Sequence, residues 1–573
     1  MTESPVPRPD RSPRARADVS GIDRTQVLIV GGGINGIATF RDLALQGIDV
    51  VLVERNDFSS GASAASSHMV HGGLRYLENG ELRLVQESVR ERNALLTTAP
   101  HHITPLPTTI PLRKTFSGVV SAPLRVLRHR PSSGTERGAA LAKLGLAMYD
   151  SYSRRNGSVP AHVMEGRTAL REKFPDFAPD IKWAATYYDA SVGQPERVAV
   201  DLVLDGTEAH AGAHAANYVE VTGMADGEVV VTDRLTGVES RIRADVVVNA
   251  SGPWTDLTNA DLGETTEFMG GTKGSHIVVD SPELLAATRG HEIFFEHPDG
   301  RIVLIYPLHG RVMIGTSDIP VDPREPARCT DEEVAYFLEL VGLVFPDIEL
   351  SEEHIVYRFS GIRPLPKAED SAPGVVSRDY RLERADVEGT PVVSIVGGKW
   401  TTFRALGERV TDEVLEMLGS TRVRSTLREW IGGGRGFPKK DEQRTAWFER
   451  HLHGLSDDRQ QTLFARYGTR ASRVADYIRT GPDAEIPGTD LSTGEVRYLV
   501  EVEHARRMSD VIQRRTTLAF RGGLTEATIT AVAEAMAPAC GWSPPEVHEE
   551  VRRCMEHLRD AHGVQWSGQH VAP

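Results

Sequence analysis

Two short apolar runs flank a glycine turn and an amphipathic stretch near the start of the 573-residue chain. Gln26-Val27-Leu28-Ile29-Val30 leads into Gly31-Gly32-Gly33-Ile34-Asn35-Gly36, residues 37–47 carry apolar groups at helical spacing, and Val50-Val51-Leu52-Val53 ends at Glu54. Apolar runs without polar alternation read as strands covered on both faces, so the pattern predicts strand, tight turn, helix and a second parallel strand. Further along, residues 197–211 have helical periodicity, and Asn217-Tyr218-Val219-Glu220-Val221 reads as a strand. Residues 275–280, 301–307 and 311–316 are apolar runs broken by Gly, Pro or charge, which predicts an antiparallel sheet. After Gly432-Gly433-Gly434, residues 440–562 are helical in pattern, for example at 495–515 and 526–537.

Composition narrows the class. The length exceeds one ordinary core and predicts two or three domains. No run of about 18 apolar residues occurs, so membrane contact is expected to be peripheral at most. A formal charge of −15 argues against broad nucleic-acid binding, which rests on Lys and Arg neutralising phosphates. Cys329, Cys540 and Cys554 stand in no metal-ligand spacing, so neither a zinc cluster nor a disulfide framework is indicated, no metal is expected, and a reducing cytoplasm fits best. Residues 1–23 are rich in Pro, Arg, Asp and Ser, lack the apolar core of a secretory signal, and read as a disordered tail.

The glycine turn carries chemistry. Gly31 permits the turn, Gly33 lets backbone approach a pyrophosphate, and Gly36 allows close packing of the helix, whose first N–H groups, at Ile34 and Asn35, face the anion. Glu54, about twenty residues on at a strand end, suits a ribose hydroxyl. FAD and NAD share this loop. The segment beyond Glu54, from Asp57 to Ser67, is small and polar, able to pass close to a flat ring and a diphosphate, and that favours FAD.

Continued through Ser66-Ser67-His68-Met69-Val70-His71-Gly72-Gly73-Leu74-Arg75-Tyr76-Leu77-Glu78, the segment resembles the FAD-dependent, quinone-linked glycerol-3-phosphate dehydrogenase family, within the amino-acid-oxidase-like flavoproteins. The resemblance continues in order through Val248-Asn249-Ala250-Ser251-Gly252-Pro253-Trp254, Thr272-Lys273-Gly274-Ser275-His276, Ile314-Gly315-Thr316-Ser317-Asp318, Ser360-Gly361-Ile362-Arg363-Pro364-Leu365 and Gly397-Gly398-Lys399-Trp400-Thr401-Thr402, with a helical tail domain around Asp510 to Thr516. The chain departs from the family at His68, where Lys is usual, and over Ser191-Val192-Gly193-Gln194-Pro195-Glu196-Arg197, where relatives tend to carry paired aspartates before Ala-Arg.

The resemblance implies an α/β fold. A Rossmann-type, discontinuous FAD-binding domain spans 24–100, 195–262 and 365–418, an antiparallel-sheet substrate domain spans 101–194 and 263–364, and a C-terminal helical domain spans 440–562. Flavin contacts are expected from Ser66, Ser67, His71, Gly72, Gly73, Gly252, Gly398, Lys399 and Thr401, and the adenine end near Val221. Thr402 reads equally as a helix cap.

Oxidation of a secondary alcohol needs a group to receive the hydroxyl proton and charges to fix the rest of the substrate. For a phosphomonoester the natural clamp is guanidinium, whose fork matches phosphate oxygens, and Arg363 and Arg75 are the candidates, with Tyr76 offering a hydroxyl. His276 is the candidate base and His71 its rival. Lys399 suits negative charge on a reduced ring or on substrate. With the resemblance, these residues imply oxidation of sn-glycerol 3-phosphate to dihydroxyacetone phosphate, with electrons passed to a membrane quinone by a homo-oligomer at the inner face of the cell membrane. An oxygen-using glycerol-3-phosphate oxidase, an amino-acid or amine oxidase, and a non-enzymatic flavin protein are the alternatives. Residues 111–130, with Arg113, Lys114, Arg125, Arg128 and Arg130, could touch anionic lipid or form a solvated loop.

Overall fold

Arg24–Val30 forms the middle of a parallel sheet because its apolar side chains are buried on both faces, Val27, Leu28 and Ile29 completely. In the computed structural model, which describes residues 16–73, 82–113, 146, 159–297, 301–367 and 380–566, Val50–Glu54 pairs with one edge of this strand and Glu239–Asn249 with the other. Ala213–Asn217 extends the sheet beyond Val50–Glu54, and Thr390–Val396 extends it on the far side, where antiparallel Arg381–Val387 closes the edge. Helices α1 (Ile34–Gln46), α2 (Pro195–Ala209) and α3 (Phe403–Met417) bury Phe40, Leu43, Val198, Leu202, Leu406 and Val410 in one core with the strands.

The second sheet runs from Ile319–Pro320 through Met269–Val279, Arg311–Gly315, Ile302–Leu308, Glu292–Glu296, Ile103–Leu112 and Trp183–Val192 to Met69–Val70, with Ile355–Pro366 along the other edge of Met269–Val279. It is antiparallel except where Glu292–Glu296 meets Ile103–Leu112 in parallel, a pairing that joins two distant chain segments. Residues 69–70 belong to this sheet although the glycine-loop segment precedes them directly. The C-terminal helices share a core with it: Tyr306, Tyr357 and Phe359 pack with Val511, Ile512, Phe520 and Leu558. Among the described residues no helix is long and apolar enough to cross a membrane.

Two expected elements are interrupted. The strand anticipated over 217–221 breaks at Tyr218, whose φ is 59°, because its backbone turns to Asn56 and its hydroxyl donates to Asp510 in the helical domain. The helix anticipated over 495–515 stops after Thr493–Glu501, since the carbonyls of Glu503 and His504 are taken by the Arg515 guanidinium and the Asn217 amide instead of by helical N–H groups. The chain then resumes in a π-helical turn, Asp510–Arg515.

Candidate active site

The glycine loop is built as its sequence suggests. Gly31 has φ 113°, and a Cβ there would lie 2.6 Å from the Ala250 carbonyl oxygen; a Cβ on Gly36 would lie 2.0 Å from the Gly31 oxygen, so α1 approaches the turn only because both are glycine. Glu54 accepts from the N–H groups of Gly32 and Asn56 at 2.7 and 2.8 Å, and burial pushes its carboxyl above the usual range. Ser63, to which no sequence motif points, accepts from the Ile34 N–H at 2.9 Å. On the returning strand, Asn249 accepts from Ser251 and donates to Thr255 and Asn259, fixing the bend before Gly252 (φ 63°).

Gly398 (φ 112°) faces the start of α1, where a Cβ would stand 2.5 Å from the Asn35 amide nitrogen. Around this contact Asn35 Oδ1, Trp400 Nε1 and Thr402 Oγ1 are buried without a partner among the described residues. Thr402 precedes α3 but its hydroxyl makes no capping bond. Buried polar groups are normally satisfied, so this orphaned cluster beside a glycine cradle fits a bound flat ring with polar edges and a diphosphate. Thr401 and Val221 are both buried, and Lys399, half-buried, directly precedes Trp400 of the cluster. Gly72 is anchored by its N–H to Asp189, which Arg92 holds at 3.1 Å, and His71 and Gly73 flank that anchor. Arg75 and Tyr76 lie outside the described residues, as does nearly all of the basic segment; Arg113, at its described end, pairs with Asp180.

Strand pairing brings the substrate-side groups together. His276 pairs with Gly315 on one neighbour and Phe359 on the other, and its ring stacks on Phe359 at 4.9 Å between centroids. Its Nε2 is 3.0 Å from the Ser67 hydroxyl, while Nδ1 has no partner among the described residues. Burial, then the charge of Arg363, then His68, lower this imidazole to about 3, so it is neutral and able to accept a proton only as local charge changes. Arg363 donates through Nη1 to Asp318 and the Lys273 carbonyl, and through Nη2 to Thr316 and the Ser317 carbonyl. A ligand reaching this guanidinium must share it with Asp318.

His68 turns away from this group. With φ 53° it points between Phe359 and Phe520, donates from Nδ1 to the Gly193 carbonyl, and is lowered to about 4 by burial and by His309. Gln194 donates to the carbonyls of Arg514 and Thr516, so this departure ties a loop to the helical domain.

Residues 26–412 match the model of the FAD dependent oxidoreductase family, and residues 424–547 match that of the C-terminal domain of alpha-glycerophosphate oxidase. The chain belongs to the FAD-dependent oxidoreductases, and its cofactor is FAD. It is 31% identical over 558 residues to a glycerol-3-phosphate dehydrogenase of Synechocystis sp., covering 93% of this chain and 96% of that one. Within the class it is a member of the glycerol-3-phosphate dehydrogenase family. A D-erythritol 1-phosphate dehydrogenase of Brucella abortus is also 31% identical, over 86% of this chain and 93% of its own. The solved structure of a glycerol-3-phosphate dehydrogenase from Bacillus halodurans, complexed with FAD, has the same fold, with a TM-score of 0.72, 24% identity, and coverage of 95% of this chain and 96% of that one.

Proposed function

We propose that the chain oxidises sn-glycerol 3-phosphate to dihydroxyacetone phosphate and passes the electrons to a membrane quinone from the inner face of the cell membrane. The observation that carries the reading is the meeting of Ser67, His276 and Arg363, a hydroxyl, a neutral imidazole and a guanidinium, between the glycine-loop domain and the second sheet. Held at the glycine turn and the Asn35, Trp400 and Thr402 cluster, FAD would supply the acceptor for the hydride of the alcohol carbon. Arg363 holds the phosphate, sharing its fork with Asp318. The incoming dianion offsets the guanidinium charge that depresses His276, which raises the imidazole towards the range where it takes the hydroxyl proton. Ser67 orients the imidazole, and Lys399 supplies positive charge for the reduced ring or the substrate. The names of the two relatives, each a dehydrogenase of a phosphorylated polyol, support a phosphate-bearing substrate.

Anaerobic titration of the purified flavoprotein tests this. Bleaching by sn-glycerol 3-phosphate and reoxidation by a quinone are expected. Bleaching by glycine, proline or sarcosine instead overturns the substrate, and peroxide formed in step with turnover without quinone reduction makes the chain an oxidase.

A further inference from the structure

A cavity of about 630 Å³ lies between the loop at 55–68 and the C-terminal helical domain. Ala64, Ala65 and His68 line it, whereas Ser66, Ser67 and the Gly31 turn do not. On one stretch of loop, Ser67 meets His276 while its neighbours Ala65 and His68 face the cavity.

The charged groups around Asp57, on the cavity wall, are paired. Arg514 and Arg515 are paired with Asp57, and Arg514 also with Asp510. His68 and His309 both contact the Gly193 carbonyl, which can only accept, so each ring spends its N–H there. Aromatic surfaces supply much of the rest: Tyr357 and His562 stack at 4.5 Å, and Phe359 and Phe520 flank His68. Three polar groups on the wall lack a full set of partners among the described residues. The Glu196 carboxyl, 7% exposed, has only its own backbone N–H. Gln513 Oε1 is buried without a donor, and Arg514 Nη1 has no protein acceptor although its other nitrogens do. Burial raises Glu196 to about 8, so at neutral pH it holds a proton to donate. An uncharged flat ring with oxygen atoms at its edges finds two donors, one acceptor and aromatic faces.

We propose that this cavity binds the headgroup of the acceptor quinone, with Glu196 and Arg514 donating to its carbonyl oxygens and Phe359, Phe520 and Tyr357 covering the ring. This rests on the proposal that the enzyme is quinone-linked. The probe is duroquinone, an uncharged benzoquinone without a tail, and the protein is the FAD-loaded enzyme. Equilibrium dialysis should show the duroquinone Kd rising tenfold or more in Glu196→Ala and in Thr517→Trp, which fills the cavity from another element, while Glu196→Gln, which keeps a donor, stays within threefold of wild type. Anaerobic bleaching by substrate should stay within twofold in all three, which shows that fold and flavin are intact. If both large-effect variants bind duroquinone as wild type does, and wild-type reduced flavin is still reoxidised by it, the headgroup site is elsewhere and only this inference fails. If duroquinone does not reoxidise the wild type, the quinone reading fails and takes this inference with it.

Discussion

Asp57 gives the sharpest test of how the domains are held together. Arg515 donates to both of its oxygens at 2.8 and 2.9 Å, Arg514 Nε donates at 2.7 Å, and Asn217 donates at 2.9 Å; Asp57, Asn217 and Arg515 are fully buried and Arg514 nearly so. Burial alone pushes this carboxyl up, but the two guanidiniums outweigh it and hold it at about 2. Against an ordinary value of 3.8, that depression is worth on the order of 2 kcal/mol at neutral pH. Neutralising the group also strands two buried cations, which costs about 3–5 kcal/mol in comparable pairs. Because Asp510 still serves Arg514 and the Glu503 carbonyl still serves Arg515, the lower end, about 3 kcal/mol, is expected for Asp57→Asn. The depressed carboxyl sets the sign with pH. Its stabilisation is complete above the unfolded value near 4 and disappears as pH falls through about 2. Urea unfolding at pH 7, 5 and 3, monitored by tryptophan emission, should therefore show the gap between wild type and variant full at the first two and narrowed at the third. A gap under about 1 kcal/mol at pH 7, or one unchanged at pH 3, refutes the assignment.

His276→Ala should slow anaerobic flavin reduction by about 10²–10⁴ with FAD content unchanged, and a normal rate removes the residue as base. Since burial and Arg363 hold this imidazole at about 3, the free-enzyme rate profile should be flat from pH 8 to 5; an inflection near 6.5 that vanishes in the variant contradicts the burial argument. Arg363→Ala should raise the KM for glycerol 3-phosphate roughly 10–100-fold while the flavin stays bound, and an unchanged KM sinks the clamp. Glu54→Ala should weaken FAD binding about tenfold, read from the dissociation of flavin fluorescence, and unaltered binding would free that carboxylate from the ribose role.

The parallel sheet and its glycine turn are legible because their physics is local. Apolar runs without alternation, spaced by a helix, admit one reading, and a left-handed Gly31 announces a turn. The helical tail is legible for the same reason. The substrate-side group is not, since Ser67 and His276 meet across 209 residues through strand order in the second sheet, which no periodicity encodes. Arg363 can be named from its neighbours, but its Asp318 partner depends on two strands folding together. The breaks at Tyr218 and Glu503 are hidden for a related reason: partners from distant segments outbid local propensity for the backbone. Asn35, Trp400 and Thr402 carry one usable signal, their closeness to the glycine pairs.

The central position of Arg24–Val30 also sets a schedule for synthesis. Its first neighbour, Val50–Glu54, emerges almost at once, but the strand that covers its other edge, Glu239–Asn249, comes far later. At about 5–20 residues per second, the ribosome leaves that hydrophobic edge uncovered for roughly 10–45 s. An unpaired edge invites other chains, so nascent copies of this enzyme carry an open pairing site through the first half of translation, long before any flavin can be seated.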